Sequence, residues 1–266
     1  NAEPFGPEGV RRYPDAVTSS TFAAVFFDAG ETLVHPHPTF PDLFVEILRR
    51  EGHDVSPETV RERGHVVFDR FRSAAQANEL WTTSPERSRR FWHDVYAIFL
   101  RELQIPDANG LIDVVYAAFT DLANYRLFDD VPPVLDRLRD AGLVLGVVSN
   151  FEAWLERLLE ELGVRRYFQV SVISGVEGFE KPDPRIFQLA MARADVTPER
   201  SVYVGDSPEF DVDPALADRL DEALDEDGRL PRPRTGRDED LSARRDRGSL
   251  LLVGGDLRRG KKNSRG

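Results

Sequence analysis

An α/β fold built on a parallel sheet is what this sequence predicts, and three observations carry that prediction. The run Ala23-Ala-Val-Phe-Phe ends abruptly in Asp28, with Gly30 and Thr32 just beyond it. Its length and β-rich composition read as a buried strand. Between Pro132 and Val204, short apolar runs alternate with stretches of helical periodicity. That alternation implies parallel strands joined by right-handed crossovers. Between these two regions lies a long segment, about Phe40 to Asn124, whose periodicity is helical throughout.

Taken in order, Asn1 to about Ser20 carries Pro, Gly and charge without an apolar core, and reads as a disordered tail, not a signal peptide. The chain begins with Asn, which reads as a processed product or a fragment. After the first strand comes a Pro/His loop, Val34-His-Pro-His-Pro38. The helical segment then shows Phe44, Ile47 and Leu48 at i, i+3, i+4 spacing, followed by Val67, Phe68 and Phe71. Phe91, Val95, Phe99 and Leu103 continue it, as do Val114, Ala118 and Leu122. Ser56-Pro and Ser84-Pro each offer an N-cap followed by a first-turn proline. About four helices are expected.

The alternating part follows. Pro132 to Ala141 reads as a helix and Leu143 to Val148 as a strand. Phe151 to Leu162 reads as a helix, Val170 to Ile173 as a strand, Arg185 to Ala194 as a helix and Ser201 to Val204 as a strand. From Asp218 to Arg247 the chain is dense in Arg, Asp, Glu, Gly and Pro, a composition that buries too little surface to order itself. Ser249 to Val253 offers one more strand, and the end from Leu257 is basic.

Composition narrows the function. A net charge of −12 argues against a nucleic-acid-binding surface. No run approaches the length of a membrane span. With no cysteine, disulfides, thiol nucleophiles and Cys-ligated zinc drop out, and a reducing, cytoplasmic setting is expected.

Four polar residues stand at or after strand ends: Asp28, Ser149, Lys181 and Asp206. Ligands of open α/β sheets bind at that edge. Singly, each has a plain reading as a turn residue, a helix cap or a surface cation. Together they suit phosphoryl transfer, which needs a nucleophile, cations and oriented donors. Asp28 and Asp206 are hard oxygen ligands for a cation such as Mg²⁺. Lys181 can neutralise phosphate and keep an Asp ionised. Ser149 and Thr32 can donate to phosphoryl oxygens.

Over about Thr21 to Ala217 the chain resembles the haloacid dehalogenase-like (HAD) hydrolase superfamily, in its helical-cap (C1) branch. Phe-Phe-Asp28-Ala-Gly-Glu-Thr32-Leu is similar to the first family motif, Val-Val-Ser149-Asn150 to the second, Glu-Lys181-Pro-Asp-Pro-Arg-Ile-Phe187 to the third and Val-Gly-Asp206-Ser-Pro-Glu-Phe-Asp211 to the fourth. The resemblance implies a Rossmann-like core from residues 21–36 and 128–217, with a helical cap over 37–127. It implies Asp28 as a nucleophile that becomes an aspartyl-phosphate. It implies Mg²⁺ held by the Asp28 carboxylate, the Gly30 backbone carbonyl and Asp206, with Asp211 in support. Thr32 would assist at the site. Ser149, Asn150 and Lys181 would bind the phosphoryl group of a small phosphorylated substrate. The chain would work as a monomer or homodimer, without a nucleic-acid or membrane partner.

Two departures stand out. Family phosphatases usually carry a second Asp two residues after the nucleophile, for proton transfer, and Gly30 occupies that place. Glu31, His35, His37 and, from the helical segment, His93 are the residues chemically able to replace it. Dehalogenases of the superfamily also lack that Asp, which keeps a metal-independent 2-haloacid dehalogenase as an alternative, beside a slow or inactive binding protein. The second departure follows Ala217. Residues 218–266 diverge from the family pattern, as expected of a shifted reading frame or foreign extension, or of an insertion before a last core strand at 249–253.

Overall fold

In the computed structural model, residues 22–207, 210–211 and 251–254 are described. The chain enters through β1 (Ala24–Phe27), buried along its whole length. A tight turn follows, in which the Ala29 carbonyl accepts hydrogen bonds from the Leu33 and Val34 amides, both at 2.9 Å. The turn leads into β2 (Val34–Pro36), then into α1 (Phe40–Arg50), α2 (Pro57–Arg63), α3 (His65–Gln76), α4 (Pro85–Glu102) and α5 (Leu111–Phe119). The chain returns through β3 (Tyr125–Leu127) and α6 (Val131–Asp140) to β4 (Val144–Ser149). Then come α7 (Leu155–Glu161), β5 (Val170–Ile173), the short α8 (Ser174–Glu177), α9 (Arg185–Ala194), β6 (Ser201–Gly205) and β7 (Leu251–Gly254).

The main sheet has the order β5-β4-β1-β6-β7. β1 pairs in parallel with β4 and β6, and its Phe27 is level with both Val147 and Val204. The residues one step beyond are therefore brought to one edge of the sheet. Helices cover both faces. Leu145, Val147, Leu155 and Leu158 pack on one side, and Phe26, Ile186, Phe187 and Tyr203 on the other. A third cluster has its buried residues in the helical insert, around Phe44, Phe91 and Phe99, with Phe210 packed against it. Full burial of such side chains contributes about 1.5–3 kcal/mol each.

The structure corrects several expectations. The loop expected over Val34 to Pro38 is in part β2, which pairs antiparallel with β3. The two crossings between sheet and insert thus hydrogen-bond to each other. A two-stranded ribbon consists only of edges, where proline is tolerated, so the Pro/His sequence gave no strand signal. The insert holds five α-helices, because Gly64 separates α2 from α3. Phe68 is not core but 65% exposed. The helix expected from Phe151 starts at Leu155, so Ser149 does not cap it. The sheet is parallel except at β7, which runs antiparallel to β6. Ser56 and Ser84 do cap, accepting from Thr59 N and Arg87 N.

Among the described residues no helix is long and apolar enough to cross a membrane. The tail expected over 1–20 and the charged stretch over 218–247 lie outside the described residues.

Candidate active site

The sheet register determines what meets at the strand ends. Asp28 follows β1 directly and its amide donates to the Val204 carbonyl at 2.8 Å. Lys181 arrives on the loop between α8 and α9. Its Nζ lies 2.7 Å from Asp28 Oδ1 and 2.5 Å from Asp211 Oδ1, and it donates to Tyr203 Oη at 3.1 Å. The Tyr203 hydroxyl donates in turn to the Val148 carbonyl at 2.8 Å. All four side chains are buried.

Burial alone would lower the Lys181 pKa, but the Asp211 and Asp28 carboxylates hold it well above its ordinary value, so it stays an ammonium. Burial raises the Asp28 carboxyl, Lys181 opposes that rise, and Asp211 adds to it. Asp206 stands at the rim, open to solvent on one side. Enclosure on its other side, with repulsion from Asp28 and Asp211, pushes its carboxyl up to about 7.

Asp211 is held from below. Its Oδ2 accepts from the Ser207 amide at 2.9 Å. This close packing requires glycine at 205, where a Cβ would stand 2.4 Å from Asp211 Cγ. Gly30 is different, because among the described residues a Cβ there would meet only the Phe151 ring, at 3.9 Å. Space does not exclude a side chain at the position where family phosphatases carry Asp.

One carboxylate oxygen from each of Asp28, Asp206 and Asp211 lies within 4.8 Å of the other two. Three hard oxygen donors converging in this way suit a divalent cation such as Mg²⁺. The Ser149 and Thr32 hydroxyls are buried and have no hydrogen-bond partner among the described residues. Buried polar groups are ordinarily satisfied, so the orphaned Ser149 hydroxyl at the end of β4 fits a donor awaiting a ligand. Thr32 lines a recess with Phe27, Glu31, Phe128, Asp130 and Gly205, not with the Asp28–Lys181 cluster.

Asn150 needs correction. Expected to bind substrate, its side chain instead grips the backbone of Lys181, donating to Lys181 O at 2.8 Å and accepting from Lys181 N at 2.6 Å. With both ends of the amide engaged, it positions the lysine. The proton-transfer candidates also separate. Glu31 has φ of 53°, and its charge bears on Asp206. His35 is turned toward Pro36 O, 2.7 Å from Nδ1, with its ring 4.5 Å from that of Phe128. His93 packs on Tyr116 and faces Asp113 within the insert.

Sequence reasoning missed Tyr203 and Glu180. A tyrosine in an otherwise apolar strand was the available signal for the first. For Glu180, the signal was only its place beside Lys181.

A family model for haloacid dehalogenase-like hydrolases matches residues 22–217. Mouse haloacid dehalogenase-like hydrolase domain-containing protein 3 is 34% identical over 179 residues, covering 62% of this chain and 71% of its own. The glyceraldehyde 3-phosphate phosphatase of Methanopyrus kandleri is 35% identical over 122 residues, 44% of this chain and 52% of its own. Among solved structures, the magnesium-bound HAD hydrolase YfnB of Bacillus subtilis superposes with a TM-score of 0.60 at 16% identity, covering 74% of this chain and 83% of that one. With the fold and the matched span in agreement, the chain belongs to the haloacid dehalogenase-like hydrolases.

Proposed function

We propose that this hydrolase is a Mg²⁺-dependent phosphatase of small phosphomonoesters, working through an aspartyl-phosphate at Asp28. The observation that carries the reading is the convergence of the Asp28, Asp206 and Asp211 carboxylates, two of them, Asp28 and Asp211, paired to the buried Lys181 ammonium. Phosphoryl transfer uses such a set, because charge accumulates on the phosphoryl oxygens.

An Asp28 carboxylate oxygen attacks phosphorus, and the ester P–O bond breaks with its electron pair leaving on the alcohol oxygen. Lys181 and Ser149 bind the phosphoryl oxygens. Water then attacks phosphorus, the bond to Asp28 breaks, and inorganic phosphate leaves with the carboxylate restored. Asp28, the Gly30 carbonyl and Asp206 would hold the Mg²⁺, with Asp211 in support, and the ion would neutralise phosphoryl charge. The helical insert acts as a cap, as the paired crossings β2 and β3 suggest.

Gly30 leaves no carboxylate two residues from the nucleophile to protonate the departing alcohol. Aryl phosphates, whose leaving groups need little protonation, are therefore expected to turn over faster than alkyl phosphates. The same glycine favours a second reading, attack of Asp28 on the carbon of a 2-haloacid, because a halide needs no acid.

The deciding assay is phosphate release from 4-nitrophenyl phosphate with Mg²⁺ and with chelator. Release that stops with chelator supports the phosphatase, and chelator-insensitive halide release from 2-haloacids supports the alternative. Asp28→Asn should lower turnover by more than about 10³-fold, with binding of a phosphate mimic retained. Full activity in that variant rules Asp28 out as nucleophile.

A further inference from the structure

One segment of the helical insert, Trp81 to Ser88, reaches three loops of the sheet edge. Glu180, the neighbour of Lys181, is only 2% exposed. Its carboxylate accepts from the Trp81 amide at 2.9 Å, the Thr82 amide at 2.7 Å and the Thr82 hydroxyl at 2.5 Å. The Thr82 hydroxyl also lies 2.5 Å from Ser174 Oγ, which accepts from the Phe151 amide at 3.0 Å. Phe151 follows Ser149 and Asn150. Further along the segment, Ser88 donates to Glu152 Oε1 at 2.7 Å. The Trp81 ring meets Phe210 edge-on with centroids 5.5 Å apart, directly before Asp211.

A buried carboxylate is costly unless it is hydrogen-bonded. Glu180 finds its donors in the insert, on the far side of the boundary from its own loop. Burial raises its carboxyl, and the donors from Thr82 and Trp81 oppose that rise. If the segment moves away, Glu180 loses those donors, and the loop carrying Lys181 loses what holds its shape. Asn150 passes the same constraint on, since it joins Lys181 to the Ser149 loop.

We propose that Glu180 is a positioning residue that registers the Trp81–Ser88 segment against the Lys181 loop. Lys181 and the Ser149 loop then hold their places only while that segment is docked. The kinetic part rests on Lys181 as the phosphoryl-binding cation; the contacts themselves can be tested without turnover.

The test is residue-resolved amide hydrogen exchange on the full chain, with kinetics on 4-nitrophenyl phosphate and Mg²⁺, for Glu180→Gln, Glu180→Asp and Thr82→Val. Glu180→Gln should speed exchange at Trp81 and Thr82 about tenfold or more, and with them at Lys181 and Phe151. Its kcat should fall by about tenfold or more while KM moves less, since a small misplacement near the chemistry acts mainly on the transition state. Glu180→Asp should restore part of the loss. Thr82→Val with Glu180→Gln should cost less than the sum of the two single changes, because the two side chains share one contact. Faster exchange confined to Trp81 and Thr82 overturns the proposal, as does a kcat within about twofold of wild type. If Glu180→Gln does not fold, Thr82→Val alone decides by the same exchange criterion. An unmodified chain that turns over no phosphate ester defeats the phosphatase reading, and the exchange result still decides this one.

Discussion

In the helical insert, the rings of Phe40, Phe44, Tyr96, Phe99 and Phe119 pack with centroids 4.8 to 6.3 Å apart. Charge in this region stays largely outside, as in Arg50–Glu46, whose side chains are 74% and 44% exposed. At the sheet edge the arrangement is reversed. Lys181, Asp28, Asp211 and Tyr203 are buried together and joined by directional hydrogen bonds. The insert is stabilised by apolar burial, which needs volume but no particular orientation. The sheet edge carries a desolvated ion cluster, a poor source of stability and a good means of presenting charge to a substrate. Changes of similar cost to folding should therefore differ sharply in their effect on chemistry.

The largest expected effect comes from Lys181→Met. It leaves Asp28 and Asp211 buried without their cation, which should cost about 3–5 kcal/mol of stability and abolish turnover. Thermal melting and phosphate release check both parts. Phe44→Ala should cost a similar amount, about 3–5 kcal/mol, through the cavity it leaves. Its kcat per folded molecule should stay close to wild type. If it loses kcat as Lys181→Met does, stability and chemistry are not separated between the two regions.

Gly30→Asp sharpens the contrast by restoring chemistry without touching the insert. The position has room for a side chain. General acid–base help is worth about 10²–10⁴-fold, and the low end of that range is expected, mostly on alkyl phosphates. An equal gain on aryl and alkyl esters would show that leaving-group protonation was not the missing step.

The smallest effect is a pH dependence located at the sheet edge. Asp206, with its carboxyl at about 7, is neutral below that value and loses its use as a cation ligand. The Mg²⁺ concentration for half-maximal activity should rise by up to about tenfold per pH unit below neutrality, as one proton competes with the ion. Asp206→Asn should weaken binding and flatten that dependence. In the metal-free protein the sign is opposite. A pKa raised in the folded state gives a contribution fully present below the ordinary value of 3.8 and lost as pH rises through about 7. Calorimetric titration with Mg²⁺ at several pH values, and melting without it, separate the two.

Much of the fold was legible because its signals are local. The strand over Val170–Ile173 and the helix over Arg185–Ala194 fall where periodicity alone places them. Ser56 and Ser84 cap because Ser-Pro at a helix start is a short-range instruction. β2 and β3 were not legible, since neither short segment alternates and each is a strand only because the other is there. Asn150 was assigned to substrate for a related reason: its partner, the Lys181 backbone, is 31 residues away in the chain.

By itself, the sequence pointed to the α/β class, the long helical segment after the first strand, and Asp28, Ser149, Lys181 and Asp206 as a candidate set of polar residues. These follow from composition and spacing within single elements. Only the tertiary structure decided that Lys181, 153 residues from Asp28, would neutralise it together with Asp211. Only the tertiary structure showed that Tyr203 would join them and that Glu180 would answer to Thr82. The physical reason is the sheet order, which sets β1 between β4 and β6 and brings loops distant in sequence to one edge. Periodicity reports which face of an element is buried, and carries no information about which distant charge will be buried against it.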